Sequence, residues 1–368
     1  MRKVAAVLSF FALAILLLNC GGSSRPAGVL LATTQGSVGI DSFGIDLSSG
    51  NLTQIKTLAA TQTGPTAIVI DPSGANAFVA DSGTNSISAY TVNSDGTLTA
   101  GSTFAVKGST PTALAIDHAG KFLFVANQAS NNVSVFSVQG STLSELANSP
   151  YLSGLLPSSV TVSPANNYLY VTNQTDNTIT VYNIASTGDL SPIPGSPFPT
   201  GTAPSGSAIV PPQSLTTATR TYLYVANSGS NNVTAFLVCL TNITPCTASD
   251  GSLQTLAPTS IFAAGIGPAA IVVDPTSNFL YIANKTSNQI SGYRINQATG
   301  GLTNLSPFTV STGMNPVALV IHPDGLYMYA ANISSANISA YKIQTQNGAL
   351  TALTPISSDP QPAGLAVK

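Results

Sequence analysis

The sequence predicts an all-β chain folded as a seven-bladed β-propeller of four-stranded blades. Three observations carry this: a recurring YVTN-like tetrapeptide, a recurring proline that opens an apolar run, and a period of about 46 residues. The openings are PTAIVID from Pro65, PTALAID from Pro111, PSSVTVS from Pro157, PSGSAIV from Pro204, PAAIVVD from Pro268 and PVALVIH from Pro316. PAGLAVK from Pro362 opens one more. Successive prolines lie 46, 46, 47, 64, 48 and 46 residues apart. A period of about 40–50 residues is that of a four-stranded propeller blade.

Each unit reads as four strands. After the opening run comes a turn such as PSG, with proline at its first corner. The second strands are AFVAD, FLFVAN, YLYVTN, YLYVAN, FLYIAN and YMYAAN; the third include ISAYTV, VSVFSV, ITVYNI and ISGYRI. Asp95–Gly96, Asp250–Gly251, Thr299–Gly300 and Asn347–Gly348 mark hairpins to the fourth strand, where glycine permits positive φ. No helical period competes. Small and β-branched residues fill the first strands, as a crowded axis requires. Aromatics such as Tyr168, Tyr170, Tyr182, Phe279, Tyr281 and Tyr293 appear where the wedge widens, and read as packing between sheets.

The ends give the count of blades. Six complete units lie between the termini. Val29–Ile55 matches a unit lacking its first strand, and PAGLAVK supplies that strand. A seventh blade built from both termini closes the ring and removes an open edge.

The YVTN motif resembles the YVTN-repeat propellers and the wider lactonase-like seven-bladed family, which includes 6-phosphogluconolactonase-type enzymes. The resemblance covers about Val29 to Lys368 and implies the fold; activity does not follow from fold. For enzymatic members it implies His and Arg just after the opening proline, and acidic residues after the YVxN segment. Here Thr66–Ala67, Thr112–Ala113, Ser158–Ser159, Ser205–Gly206, Ala269–Ala270, Val317–Ala318 and Ala363–Gly364 follow the prolines. Ser82, Gln128, Gln174, Ser228, Lys285 and Ile333 follow the YVxN-like segments. Lactone hydrolysis needs a base for water and a donor for the oxyanion. These positions offer no general base, so no catalytic residue is assigned.

Length alone, 368 residues, suggests two or three domains. The unbroken repeat favours one, over residues 29–368. Charged residues make up 7%, against about 25% in an average protein. Without Arg2 and Lys3 the chain has 9 basic and 13 acidic residues, a net charge of −4. No basic patch exists, which excludes a nucleic-acid partner.

Residues 1–20 read as a targeting segment: Arg2 and Lys3, then the apolar run Val4–Leu18, short for a membrane span. LLNC ends it, and looks like a bacterial lipoprotein signal with Cys20 as the lipidated residue. Asn19 stands where a small residue is usual, so the alternative is an ordinary secretory signal cut nearby. Residues 21–28 read as a linker. Cys239 and Cys246 bracket LTNITP in the fifth blade, the one lengthened near Pro211–Thr219 and Leu240–Ala248. In an exported chain they read as a disulfide rather than a metal site.

The remaining candidates are polar. Asp81, Asn127, Asn173, Asn227, Asn284 and Asn332 end the second strands, and Lys285 is the cation directly after one of them. They make a candidate ligand or partner face. The simpler account is that each side chain bonds groups of the adjoining loop. His118 and His322 fall in turns at the opposite face. Twelve Asp and one Glu are spread singly, without the clustered oxygens of a calcium loop, and no phosphate loop or nucleophile elbow occurs. No cofactor or metal is expected. The leading reading is an exported, lipid-anchored, non-catalytic binding or scaffold module at the cell envelope, with an envelope protein or glycan as partner. The alternatives are a sugar-lactone hydrolase and a structural surface-layer component.

Overall fold

The computed structural model describes residues 28–210, 220–240, 246 and 250–368. The leader, Cys20 and most of the two insertions of the fifth blade lie outside the described residues. Seven antiparallel sheets surround one axis, and six of them run from an inner strand to an outer strand in chain order. Blade 1 is the shared one. Its inner strand is Pro362–Val367, followed outward by Gly28–Thr34, Gly39–Ile45 and Leu52–Ala60. Leu30 pairs with Val367, Leu31 with Ala366 and Ala32 with Leu365. Blades 2 to 7 open at Pro65, Pro111, Pro157, Pro204, Pro268 and Pro316, each proline being the first residue of an inner strand.

The core is not central. It is divided into seven apolar clusters, one at each junction between neighbouring blades. Side chains alternate across a strand, so each second strand serves two of them. Val29 and Leu31 face blade 2, while Leu30 and Ala32 face blade 7. This is why second strands are apolar nearly throughout and buried along most of their length.

Aromatic rings and hairpin glycines fit together across the junctions. Tyr222 of blade 5 lies where a Cβ on Gly300 of blade 6 would come within 2.4 Å of its ring. Gly300 also has φ +73°, so no other residue satisfies both demands. Phe122 on Gly188, Tyr168 on Gly251, Phe279 on Gly348 and Tyr327 on Gly50 repeat the fit. Beside it, Tyr224, Tyr281 and Tyr329 donate their hydroxyls to the carbonyls of Gly300, Gly348 and Gly50, at 2.8, 2.7 and 3.0 Å. Tyr90, Tyr182, Tyr293 and Tyr341 reach back to carbonyls of the preceding blade. The aromatics are thus the packing elements expected, and these seven hydroxyls are satisfied, while that of Tyr170 is buried without a partner.

A second link operates where second strands end. Asn85, Asn131, Asn177, Asn231 and Asn288 all have positive φ, and each Oδ1 accepts the N–H of the residue before the next blade's opening proline. The acceptor–donor distances run from 2.7 to 2.8 Å, to Thr110, Leu156, Ala203, Gly267 and Asn315. Asparagine tolerates this left-handed conformation and binds backbone from it. The two junctions flanking blade 1 lack the latch: Val38 and Ala336 occupy the same turn position with φ +53° and +49°. Replacing Ala336 by Asn restores an acceptor facing Gln361 and relieves the conformation. We expect Tm to rise by about 2–4 °C, as about 1 kcal/mol from one added hydrogen bond implies. Calorimetry showing an unchanged or lower Tm would mean that the latch contributes no net stability.

Candidate functional site

Second strands end, and inner strands begin, at one face of the ring, here the mouth face. The YVxN asparagines lie there, fully buried. Asn127 Nδ2 donates to Asn132 Oδ1 and Ser134 Oγ, both at 2.9 Å. Asn227 and Asn332 do the same with Asn232 and Thr234, and with Asn337 and Ser339. Asn173 bonds Thr178 and Thr180, and Asn284 bonds Ser291. The partners are thus largely third-strand side chains five and seven residues on. The loop entering the same blade presses on this pair. Gly154 N–H donates to Asn173 Oδ1 at 3.1 Å, and a Cβ on Gly154 would lie 2.6 Å from that side chain. Gly108, Gly201, Gly265 and Gly313 stand equally close to their asparagines. Each is three residues before an opening proline. That G-x-x-P spacing was present in the sequence and is the signal the repeat reading missed.

Burial removes Asp81, Asn127, Asn173, Asn227, Asn284 and Asn332 from any contact face. Lys285 alone among the candidates is exposed. Around it Ser82, Gln128, Gln174, Ser228 and Ile333 are half-buried. Three of the four hydroxyls directly after the prolines are committed to neighbouring blades, and the fourth, on Thr112, is buried without a partner. Thr66 bonds the Pro111 carbonyl at 3.1 Å, Ser158 that of Pro204 at 2.7 Å, and Ser205 that of Pro268 at 2.7 Å. At the junction of blades 4 and 5, Ser159, Thr161 and Ser207 extend this into a hydroxyl chain. Carboxylates near the mouth are also engaged. Asp176 accepts the Leu155 N–H at 2.7 Å, and Glu145 accepts from Ser149 and the Lys107 backbone.

The described arginines and histidines are not at the mouth. Arg220 and Arg294 bond the carbonyls of Ala298 and Gln346 in far-face hairpins, and Arg294 stacks 4.9 Å over Phe279. His118 is exposed in its turn. His322 departs from the expectation of a half-solvated turn residue: it is 7% exposed, with Nδ1 3.0 Å from Asp324 Oδ1. Beside it, blades 7, 1 and 2 enclose a cavity of about 590 Å³ lined by Gly28, Asp71, Ser73, Pro323 and Lys368, among others. Its polar groups are occupied in closing the ring: Lys368 Nζ bonds the Gly74 carbonyl, and Asp71 caps its own turn through Ala75 and Asn76. Among the described residues no group of three or more His, Cys, Asp or Glu could hold a metal.

Cys239 and Cys246 are disulfide-bonded. The bond sits in the hairpin between third and outer strands of blade 5. The segment after Val210 attaches at the same end, since Val210 pairs with Tyr222 at the start of its strand. Both insertions therefore spring from the far face, opposite the asparagines.

Blade 2 carries Asp81 where five blades carry Asn. Its Oδ2 accepts from Ser88 at 2.7 Å, and Oδ1 has no partner. Burial raises its pKa from 3.8 to about 6, against the lowering effect of the Ser88 bond. Asp41 of blade 1 is raised in the same direction, first by burial. A carboxyl whose folded pKa is raised binds its proton more tightly in the native state. Stability therefore rises as pH falls from about 6 toward 3.8. Asp81→Asn, which supplies the donor seen at Asn127, is expected to raise Tm by several degrees at pH 7.5 and much less at pH 4.5. Equal gains at both pH values would show that Asp81 is not held as described.

In sequence, the chain matches the family model described as "Lactonase, 7-bladed beta-propeller" over residues 37–154, 147–244 and 217–366. No curated protein matches it. Solved structures share its fold. A Bacteroides uniformis protein bearing the provisional description 6-phosphogluconolactonase is 20% identical, with TM-score 0.77, over 93% of this chain and 99% of that one. The Pseudomonas aeruginosa periplasmic gluconolactonase is also 20% identical, with TM-score 0.75, over 92% and 98%. A Lactobacillus plantarum protein is 19% identical, with TM-score 0.77, over 93% and 99%. Identities this low show the fold alone. The continuous family match over a closed ring of seven blades shows that this chain belongs to the lactonase family of seven-bladed β-propellers.

Proposed function

We propose that the chain is an exported propeller whose mouth face binds a ligand or envelope partner without covalent chemistry. The observation that carries this is the content of the mouth. It has amides, hydroxyls, Lys285, a Lys107 committed to backbone carbonyls and the separate carboxylates of Asp176 and Asp359, while the described arginines and histidines lie elsewhere. A hydrolytic site needs a base within reach of water and a donor aimed at the oxyanion. Of the nearby carboxylates, Asp41 and Asp81 are buried and Asp176 and Glu145 are hydrogen-bonded; Asp359, half-buried in the loop before Pro362, stands without a described arginine or histidine beside it. Family membership and the periplasmic gluconolactonase favour a second reading, lactone hydrolysis, more directly than they favour the first.

The test is turnover of a lactone panel, including 6-phosphogluconolactone, by the domain beginning after Cys20. The binding reading expects rates equal to buffer from a folded, monodisperse sample. Turnover well above buffer would replace it with the hydrolase.

Export follows from the leader, and the disulfide accords with an oxidising compartment. Gly28 starts a second strand, and second strands start at the far face. Eight residue steps separate Cys20 from Gly28, at most about 28 Å of extended chain. An acyl anchor at Cys20 therefore holds the far face toward the membrane and presents the mouth outward. Cys20→Ala is expected to move the protein from membrane to soluble fractions. Retention in the membrane fraction would eliminate the anchor.

A further inference from the structure

We propose that the mouth rim at blades 6 and 7 binds a free amphiphile, an alkyl chain carrying one anionic head group. This rests on the reading that the mouth is the binding face. The large exposed apolar side chains of the described residues are Leu152, Leu155, Leu156, Ile261, Ile266 and Met314. Their distribution is the argument. All six lie in outer-strand ends or loops that lead into a blade at the mouth, and none lies at the far face. Scattered exposed apolar residues need no explanation, but a set confined to one face marks an interaction surface.

Blades 6 and 7 combine this with charge. Ile266 is 57% exposed and Met314 55%. Their backbones are pinned, so the exposure is built in rather than a product of loose loops. Thr286 N–H bonds the Ile266 carbonyl at 3.1 Å. Met314 N–H bonds Ser335 Oγ at 2.9 Å, and Ser334 N–H bonds the Met314 carbonyl at 3.2 Å. The Asn288 latch to Asn315 joins the turn that carries Lys285 to the Met314 loop across the junction. Lys285 is exposed beside them, its backbone N–H on the Gly267 carbonyl at 2.8 Å. It forms no ion pair among the described residues. Asp41 and Asp81 at the mouth are buried, and the half-buried Asp359 lies past blade 7, in the loop that enters blade 1. A cation on the turn bonded to both apolar loops complements an anionic head on an alkyl chain. A neutral polar ligand would leave both features unused.

The test is calorimetric titration of the purified domain with dodecanoate below its micelle concentration. Saturable one-to-one binding is expected, weakening about tenfold when the chain is shortened by two carbons, as full burial of two methylenes implies. Lys285→Gln is expected to weaken it about 3- to 10-fold and abolish its salt dependence. Ile266→Ser with Met314→Ser, both surface changes, should abolish binding with Tm unchanged. Absence of binding overturns the proposal. So does equal binding of a neutral dodecyl glycoside that ignores Lys285→Gln. Binding confined to anionic vesicles would assign the rim to a lipid surface, and dimerisation lost in the double variant would assign it to a second copy. If dodecanoate fails while the domain still captures an envelope component through its mouth, the amphiphile falls and the binding reading stands.

Discussion

Every second strand is buried on both faces, and the rest of the structure depends on that constraint. A single blade exposes two apolar surfaces and has no core of its own. Each is covered only by a neighbour, so the chain must supply a complete ring. The shared first blade follows from this demand: without Pro362–Val367 against Gly28–Thr34, two clusters would open together. The wedge shape follows too, with aliphatic inner strands and aromatic middle strands whose rings lie on hairpin glycines of the next blade.

The same economy explains the polar residues at the mouth. A repeat that turns the chain seven times must satisfy the backbone at every turn in low dielectric. The latch asparagines do this by accepting from the loop that enters the next blade. The buried asparagines four residues before them tie second strands to third-strand side chains. Residue types that invite a functional reading are consumed in holding the ring. The face left over is set by the residues that this scaffold does not use, Lys285 and the apolar side chains of the loops.

Much of this was legible in the sequence. Proline spacing gave the blade number, the terminal half-units gave closure, and the paired cysteines gave the disulfide. The asparagine ring was visible as a pattern, but its burial was not. A polar residue after an apolar strand reads the same whether a glycine loop covers it or solvent does. The G-x-x-P spacing that decides between them lay in the segments before the opening prolines, to which the repeat pattern assigned no role. The burial of His322 was hidden for a related reason, although its turn and face were read correctly. Its turn is exposed in a lone blade and becomes covered only when both chain ends pack beside it. What could not be read was the angular distribution of exposed apolar residues, because it depends on which loops share a face.

The closing strand carries a temporal consequence. Leu30 finds its partner only at Val367, at the other end of the repeats. Contacts so distant in sequence form late, after the entropy of a very long loop has been spent. A chain emerging from its N-terminus can assemble blades 2 to 6 in order. Gly28–Thr34 must wait throughout without its inner neighbour. Until the last strand arrives, the molecule is an open arc with two adhesive ends. A chain that crosses a membrane before folding meets this stage on the far side, where its quality-control partners must be sought.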